Sequence, residues 1–399
     1  MSGEMVTWPR GFRAAGVCAG IKASGKADLA LLVAEEGCTA AGAFTRNRVV
    51  APAVVVDRER LRGGKARVVY VNSGNANTCT GQRGVRDVDT ISTDVARAVG
   101  CLPEEVLVCS TGIIGEFLPM KCVRAGIRAA AKSLADDAEA GRDFSRAILT
   151  TDLVTKVASE SVRIGGTQVR VAGAAKGSGM IAPNMATMLA FVTTDAAIGV
   201  PALRQAWRHA VVRSFNRVDV DQHMSTSDTA LVLASGRSGN RQITGGRGYA
   251  QLAEALARVC ESLARQIAAD GEGATRQVTV RVKRAASAAD ARKAVRTITA
   301  SPLVRCAFFG ADPNWGRVIS AVGYSGADFN WEQLACRMAG TWVFRHGRPV
   351  RFDRQKVQQA MTGKQWEVEV DLGVGDHEDW CYTCDLTHGY VTINAEYHT

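Results

Sequence analysis

The 399-residue sequence predicts a layered α+β protein, and three observations carry that expectation. Aliphatic runs repeatedly end in glycine-containing loops, as buried strands do when they enter turns. Segments with apolar residues at helical spacing lie between them. The two kinds of segment mix without strict βαβ repetition, which argues against a doubly wound parallel sheet.

In chain order, "DLALLVAEE" (28–36), "ARVVYVNSG" (66–74) and "EVLVCSTG" (105–112) read as buried strands. "MKCVRAGIRAAAKSLADDA" (120–138) follows Pro119 and sets Val123, Ile127, Ala130 and Leu134 at helical spacing. "TQVRVAGAAKGSG" alternates and then turns glycine-rich. Pro201 opens a helix over 201–215. The clearest helix covers 250–271, where Leu252, Leu256, Val259, Leu263 and Ile267 form one stripe and Gly271 is placed to end it. "VTVRV" (278–282) reads as a strand and 288–301 as a helix. "KQWEVEVDLGV", "HEDWCYTCDLTH" and "YVTINAEY" read as closing strands. There is no internal repeat and no linker-like tract; one break is expected near residue 275.

The composition is 46% hydrophobic and 22% charged, enough apolar material for one large core or several medium ones. No run of about 18 consecutive apolar residues is present, so no membrane span is expected. The first residues lack a basic start followed by an apolar run, and a cytoplasmic protein is expected. The net charge of +10 is scattered, without a basic tract or interleaved aromatics, which reads as a solvated surface and not as a nucleic-acid interface. Eleven cysteines at wide spacing suit free thiols in a reducing compartment. Cys381 and Cys384, flanked by His377 and His388, raise the possibility of a zinc site. Strand alternation sends the two cysteines to opposite faces, so no metal is expected there.

Five polar, glycine-rich loops stand out: "VNSGNANTCTG", "STGIIGE", "AKGSGMIAPN", "DGEGAT" and "GADPNWGR". None is a P-loop or a dinucleotide fingerprint. Such loops supply tight turns whose N–H groups can face an anion or oxyanion, and together they suit one assembled site. The six histidines form no zincin pattern, and no G-x-S-x-G elbow is present. A base for acyl chemistry must come from elsewhere. Thr187 offers one route. A cut just before it frees an α-amine with a reference pKa of about 7.7–8.0, which can activate the residue's own hydroxyl through a bridging water. Pro183 and Ala186 suit the bent, uncrowded backbone that such a cut needs. On pattern alone, Thr187 reads first as an ordinary strand residue, and the nucleophile is the lesser reading.

Taken together, "GFRAAGVCAGIKASGKADLALLV", "AGAFTRNRV", "VNSGNANTCTG", "STGIIGEFLPM", "TTD", "AKGSGMIAPNMATMLAFVTTDA", "SFNRVDVD", "STSDTALV", "DGEGAT", "FFGADPNWGR" and "YVTINAEYHT" resemble one family over nearly the whole chain. It is the bifunctional ornithine acetyltransferase/glutamate N-acetyltransferase family of the cyclic arginine pathway. The resemblance implies a precursor that cuts itself between Ala186 and Thr187. The products are an α chain (1–186) and a β chain (187–399) that stay together as α2β2. It implies a layered α/β/β/α sandwich like that of N-terminal-nucleophile enzymes, completed by residues 187–275, with a smaller C-terminal α/β domain over 276–399.

By the same resemblance, Thr187 takes acetyl from N2-acetylornithine and passes it to glutamate. No cofactor is implied, although acetyl-CoA is a possible co-substrate. Thr111 and Gly112 match the oxyanion-stabilising pair. Thr150, Lys176, Thr187, Glu272, Asn394 and Thr399 match substrate-binding positions: a lysine for an α-carboxylate, a glutamate for an ammonium, and polar contacts from the chain's end. The sequence departs from the family at Gln222, His223 and Met224, where Gly-Asp-Thr is usual, and this puts substrate choice in doubt more than reaction type. Two other readings compete: an N-terminal-threonine amidase that gives the acyl group to water, and an uncut binding protein.

Overall fold

The computed structural model describes residues 4–182 and 188–396. Its first part is built on β1 (Phe12–Val17), β2 (Leu29–Phe44), α1 (Pro52–Arg60), β3 (Lys65–Asn75), α2 (Gly81–Val99), β4 (Val106–Ile113), α3 (Met120–Lys132) and α4 (Ala138–Ala147). It continues through β5 (Lys156–Ile164), β6 (Thr167–Lys176), β7 (Leu189–Thr194), α5 (Val200–Arg213), β8 (Val218–Asp219), β9 (Thr229–Ala234) and α6 (Gly246–Ala269).

One eight-stranded sheet runs in the order β4-β3-β2-β9-β7-β6-β5, with β1 also on β2. The 16-residue β2 joins its two halves. Leu29–Ala34 pairs with β1, and Thr39–Phe44 pairs with β9. The register on β3 shifts between Val33 and Cys38, where the exposed Glu35, Glu36 and Gly37 interrupt the apolar run. The period-2 alternation of a strand then builds three cores. Leu29, Leu31 and Val33 face the α2–α3 layer with Tyr70 and Val108. Ala30 and Leu32 face inward, where Phe144 of α4 meets Phe191 of β7 edge-on at 5.4 Å. Ala190 and Val192 of β7 face outward onto α5 and α6. The layers are therefore α/β/β/α, with the inner core between the two halves of one curled sheet.

The second part comprises β10 (Gln277–Ala285), α7 (Ala288–Ala300), α8 (Pro302–Phe309), α9 (Trp315–Gly323), β11 (Ala335–Met338), β12 (Thr341–Arg345), β13 (Arg348–Pro349), α10 (Arg354–Met361), β14 (Gln365–Asp371), β15 (His377–Cys384) and α11 (His388–Glu396). Its seven-stranded sheet has the order β13-β12-β11-β14-β10-β15-β8, so two residues from before α6 complete it. Odd spacing on β15 sends Cys381 into this second core and Cys384 into the core under α6. No helix of the described residues is long and apolar enough to cross a membrane.

Three expectations need correction. The helix expected over 120–138 stops at Lys132, and a new one begins where the Asp137 carboxylate caps the Ala140 N–H at 2.8 Å. Gly271 does not terminate α6 through a left-handed turn. The helix ends at Ala269 as Asp270 turns toward Lys156, and a Cβ on Gly271 would stand 2.9 Å from Cys384 Sγ. Up to Glu396, the closing "YVTINAEY" belongs to the helix α11 and not to a strand. It has no sheet partner and no buried residue, so its alternating Val391 and Ile393 have no face to cover.

Candidate active site

Five separate stretches converge on a cavity of about 290 Å³, lined in part by Thr111, Gly112, Thr150, Lys176, Glu272 and Asn394. The first wall is the end of β4. The buried run from Val106 to Cys109 fixes that strand in the sheet, so Thr111 and Gly112 emerge at its open end. Gly112 sits at φ +132°, and a Cβ there would lie 2.3 Å from the Gly74 carbonyl carbon. Only glycine fits both that angle and that approach. Ser110 Oγ donates to Asn72 Oδ1 at 2.7 Å, and Asn72 Nδ2 donates to the Asn75 carbonyl at 2.8 Å, bracing the two strand ends.

The second wall is the last residue of β6. Lys176 is 3% exposed and directs Nζ to within 3.4 Å of Thr111 Oγ1. Burial lowers its pKa from the usual lysine value. Asp152, Glu272 and Asp228 act against that, while Lys156 reinforces it. Beneath it lies a buried ion cluster. Lys156 Nζ contacts Asp152 Oδ1 at 2.7 Å and Asp270 Oδ2 at 2.5 Å. Asp152 also accepts the N–H groups of Gly177 (2.6 Å) and Thr150 (3.0 Å). Burial alone would raise the Asp152 pKa, yet Lys176 and Lys156 hold it below the usual carboxylate range. Asp152 is thus the common counter-ion that positions Thr150, Gly177 and both lysines.

Across the cavity stands Glu272, 6% exposed, its own N–H donating to the Ser178 carbonyl at 3.0 Å. A Cβ on Gly179 would lie 2.2 Å from Glu272 Oε2, so the glycine leaves the carboxylate its space. Asn394 Nδ2 donates to Glu272 Oε2 at 2.8 Å. Helical spacing puts Tyr390 and Asn394 on one face of α11, and both line the cavity. Asp221 Oδ2 and Oδ1 accept the N–H groups of Met180 (2.6 Å) and Ile181 (2.8 Å), which anchors the chain shortly before residue 183.

Ala186, Thr187 and Thr399, together with Pro183, lie outside the described residues. Of the departures noted above, His223 lines the cavity; Gln222 turns away to Asp219, and the Met224 carbonyl accepts from Asn47. Sequence patterns did not single out Asp221, Tyr390 or Asp152 as site residues. A signal for Asp152 existed: an acidic residue directly after two threonines, four places before Lys156, the lysine that opens β5.

The chamber is small and polar, with a buried cation on one wall, a carboxylate on another and a hydroxyl-bearing strand end between them, within an α/β/β/α fold. The curated relatives extend along the whole chain. A protein from Symbiobacterium thermophilum called "Arginine biosynthesis bifunctional protein ArgJ" is 49% identical over 397 residues, covering 99% of this chain and 98% of that one. One of the same name from Deinococcus radiodurans is 46% identical over 396 residues, covering 99% and 98%. A solved ArgJ structure from Bacillus halodurans is 38% identical with a TM-score of 0.51, covering 52% of this chain and 98% of that one. The ArgJ family model matches residues 13–399. The chain belongs to the ArgJ family.

Proposed function

We propose that this protein is a self-processing acetyltransferase of arginine biosynthesis, moving acetyl from N2-acetylornithine to glutamate. One observation carries the reading: Thr111, Gly112, Thr150, Lys176, Glu272 and Asn394, far apart in sequence, line a single chamber. Its charges suit an amino acid, with Lys176 facing an α-carboxylate and Glu272 an ammonium. A chamber of this kind serves ornithine and glutamate in turn.

In the first half-reaction the Thr187 hydroxyl, deprotonated by its own α-amine, adds to the acetyl carbonyl carbon. Negative charge develops on that oxygen beside Thr111 and Gly112. One well-aimed donor at such an oxygen is worth about 3–4 kcal/mol of barrier. The C–N bond breaks, the amine of ornithine takes a proton, and acetyl-Thr187 stays behind. The glutamate amine then attacks that ester, and N-acetylglutamate leaves with the threonine oxygen reprotonated. Acetyl-CoA is a possible alternative donor for the same intermediate.

Cleavage between Ala186 and Thr187 is part of the reading, as are the α2β2 assembly and a cytoplasmic location. The half-length match to the Bacillus halodurans chain supports two separate chains, since about half of this sequence accounts for nearly all of that one. Intact-mass analysis tests the proposal. Two species of 186 and 213 residues are expected, the second gaining one acetyl group on incubation with N2-acetylornithine and losing it on addition of glutamate. A single uncut species that never becomes acetylated refutes it; acetate release independent of glutamate turns it into an amidase.

A further inference from the structure

Folding collects arginines that the sequence holds far apart. A cavity of about 560 Å³ lies between α1 and α5 at the end of β2. Arg46, Arg58, Arg62, Arg204 and Arg208 line it, and no acidic residue does. It shares no lining residue with the chamber described above. Arg204 and Arg208 stand about one turn apart on α5, which puts both on one face of that helix.

The pinned guanidiniums are held by neutral groups. Arg204 Nη2 donates to the carbonyls of Leu61 (2.8 Å) and Arg62 (2.7 Å). Arg58 donates to the Thr45 carbonyl and lies over the Phe44 ring, 5.8 Å from its centroid. Among the described residues, Arg62 alone of the five has a carboxylate partner. That partner is Glu59 at 3.0 Å, in a pair so exposed (77% and 65%) that solvent screens most of it. A smaller cavity of about 210 Å³ shares Arg46 and Asn216 with the first. Arg217, Arg292 and Arg296 line it with one carboxylate, Asp379, which pairs with Arg217 at 2.9 Å and Arg292 at 3.4 Å.

Like charges around one space repel each other, and hydrogen bonds to carbonyls fix the place of a cation without cancelling it. An anion in the trough removes that repulsion. The guanidinium fork accepts two oxygens on one centre, carboxylate or phosphate. A chain of phosphates carries at least one charge and two free oxygens on every phosphorus atom. It therefore matches five guanidiniums within a space where a peptide would need an acidic side chain for each. Base stacking finds no platform: Trp207 is 1% exposed and Phe44 lies under Arg58.

We propose that the trough between α1 and α5 is a binding site for a small oligophosphate, recognised through its phosphates. The site is independent of the acetyl-transfer reading, and so is its test.

Isothermal titration of the full protein with inorganic tripolyphosphate should show one ligand per chain, bound more weakly as salt rises. ATP separates the two sources of this chemistry. Equal affinity assigns recognition to the phosphates alone, and tighter binding adds a nucleoside contact; both support the site. Arg46→Gln with Arg208→Gln should weaken tripolyphosphate binding by about tenfold or more, as lost charge-assisted contacts do. Neither side chain has a hydrogen bond or ion pair among the described residues, so the fold should not change. Arg348→Gln with Arg351→Gln removes the same charge from exposed positions outside both cavities and should leave the affinity unchanged. Equal weakening by the two double variants overturns the inference, because the net charge alone then attracts the anion. So does wild-type protein that binds no tripolyphosphate at millimolar concentration. Displacement of tripolyphosphate by lower concentrations of polyglutamate or of a single-stranded RNA 12-mer also overturns it, in favour of a docking surface for an acidic protein or a nucleic acid.

Discussion

Lys176 Nζ and Thr111 Oγ1 lie 3.4 Å apart, a buried cation set against a hydroxyl near the end of β4. This contact joins the two halves of the curled sheet, since β4 and β6 stand near its opposite ends. It also unites two proposed roles, carboxylate binding and oxyanion stabilisation, at one point. Removing each partner should separate them. Thr111→Val keeps the shape of the side chain and deletes its donor, so kcat should fall by about 10²–10³ with KM little changed. Lys176→Met should raise KM for both amino acids as well as lower kcat. Steady-state kinetics with N2-acetylornithine and glutamate check the split; a Thr111→Val enzyme of normal kcat removes this threonine from the oxyanion site.

Gly179 tests the space around Glu272. Its φ lies outside the left-handed region, so alanine there is opposed by contact and not by backbone strain. The added Cβ would meet Glu272 Oε2 at 2.2 Å, and the carboxylate must swing away from Asn394. Gly179→Ala should raise KM for N2-acetylornithine by about tenfold or more, as a lost charge-assisted contact does. Gly310→Ala, where a Cβ meets nothing closer than 3.6 Å, should leave kinetics unchanged. Equal KM values for the two variants count against Glu272 as a substrate contact.

Much of this was legible in the sequence, and the reasons are local. The stripe of Leu252, Leu256, Val259, Leu263 and Ile267 is buried throughout, because a long amphipathic helix states its own face. Strand alternation likewise predicted the split of Cys381 and Cys384. The end of the chain was misread for the converse reason. Val391 and Ile393 alternate as in a strand, but α11 has no fully buried residue, and the face it turns inward carries the partly buried Tyr390 and Asn394 in place of an apolar stripe. The site divides in the same way. Lys176 and Glu272 stand in distinctive motifs. Asp152 stands only in the short "TTD" stretch, and its importance arises from burial among Lys156, Thr150 and Gly177, partners that only folding assembles.

Asp152 makes acid stability testable. Its folded pKa lies below the unfolded carboxylate value of about 3.9, so in the window between them the unfolded chain binds more protons. The resulting stabilisation is complete above about pH 4 and disappears as pH falls through the folded value. Asp152→Asn leaves two buried lysines short of a counter-ion and should cost about 3–5 kcal/mol at neutral pH. The variant should also lose part of the wild-type decline between pH 4 and 2. Denaturant unfolding at stepped pH measures both; an unchanged acid limb assigns that decline to other carboxylates.

Lys22 offers the last test, through a second cavity that shares Thr150 with the first. Its Nζ donates to the carbonyls of Leu149 (2.6 Å) and Ala27 (2.9 Å). Burial is the largest influence on it and lowers its pKa to about 8; Asp28 and Asp152 oppose the shift, while Lys176 and Lys26 add to it. The folded state therefore binds fewer protons than the unfolded chain between about pH 8 and the ordinary lysine value. Stability should rise with pH across that window and not fall, as far as this group is concerned. Carbon-13 NMR of the lysine side chains should show one resonance titrating near pH 8 that is missing in Lys22→Met. Because Lys176 contributes to the shift, Lys176→Met should move that titration upward, and a titration that does not move places the two amines out of electrical contact.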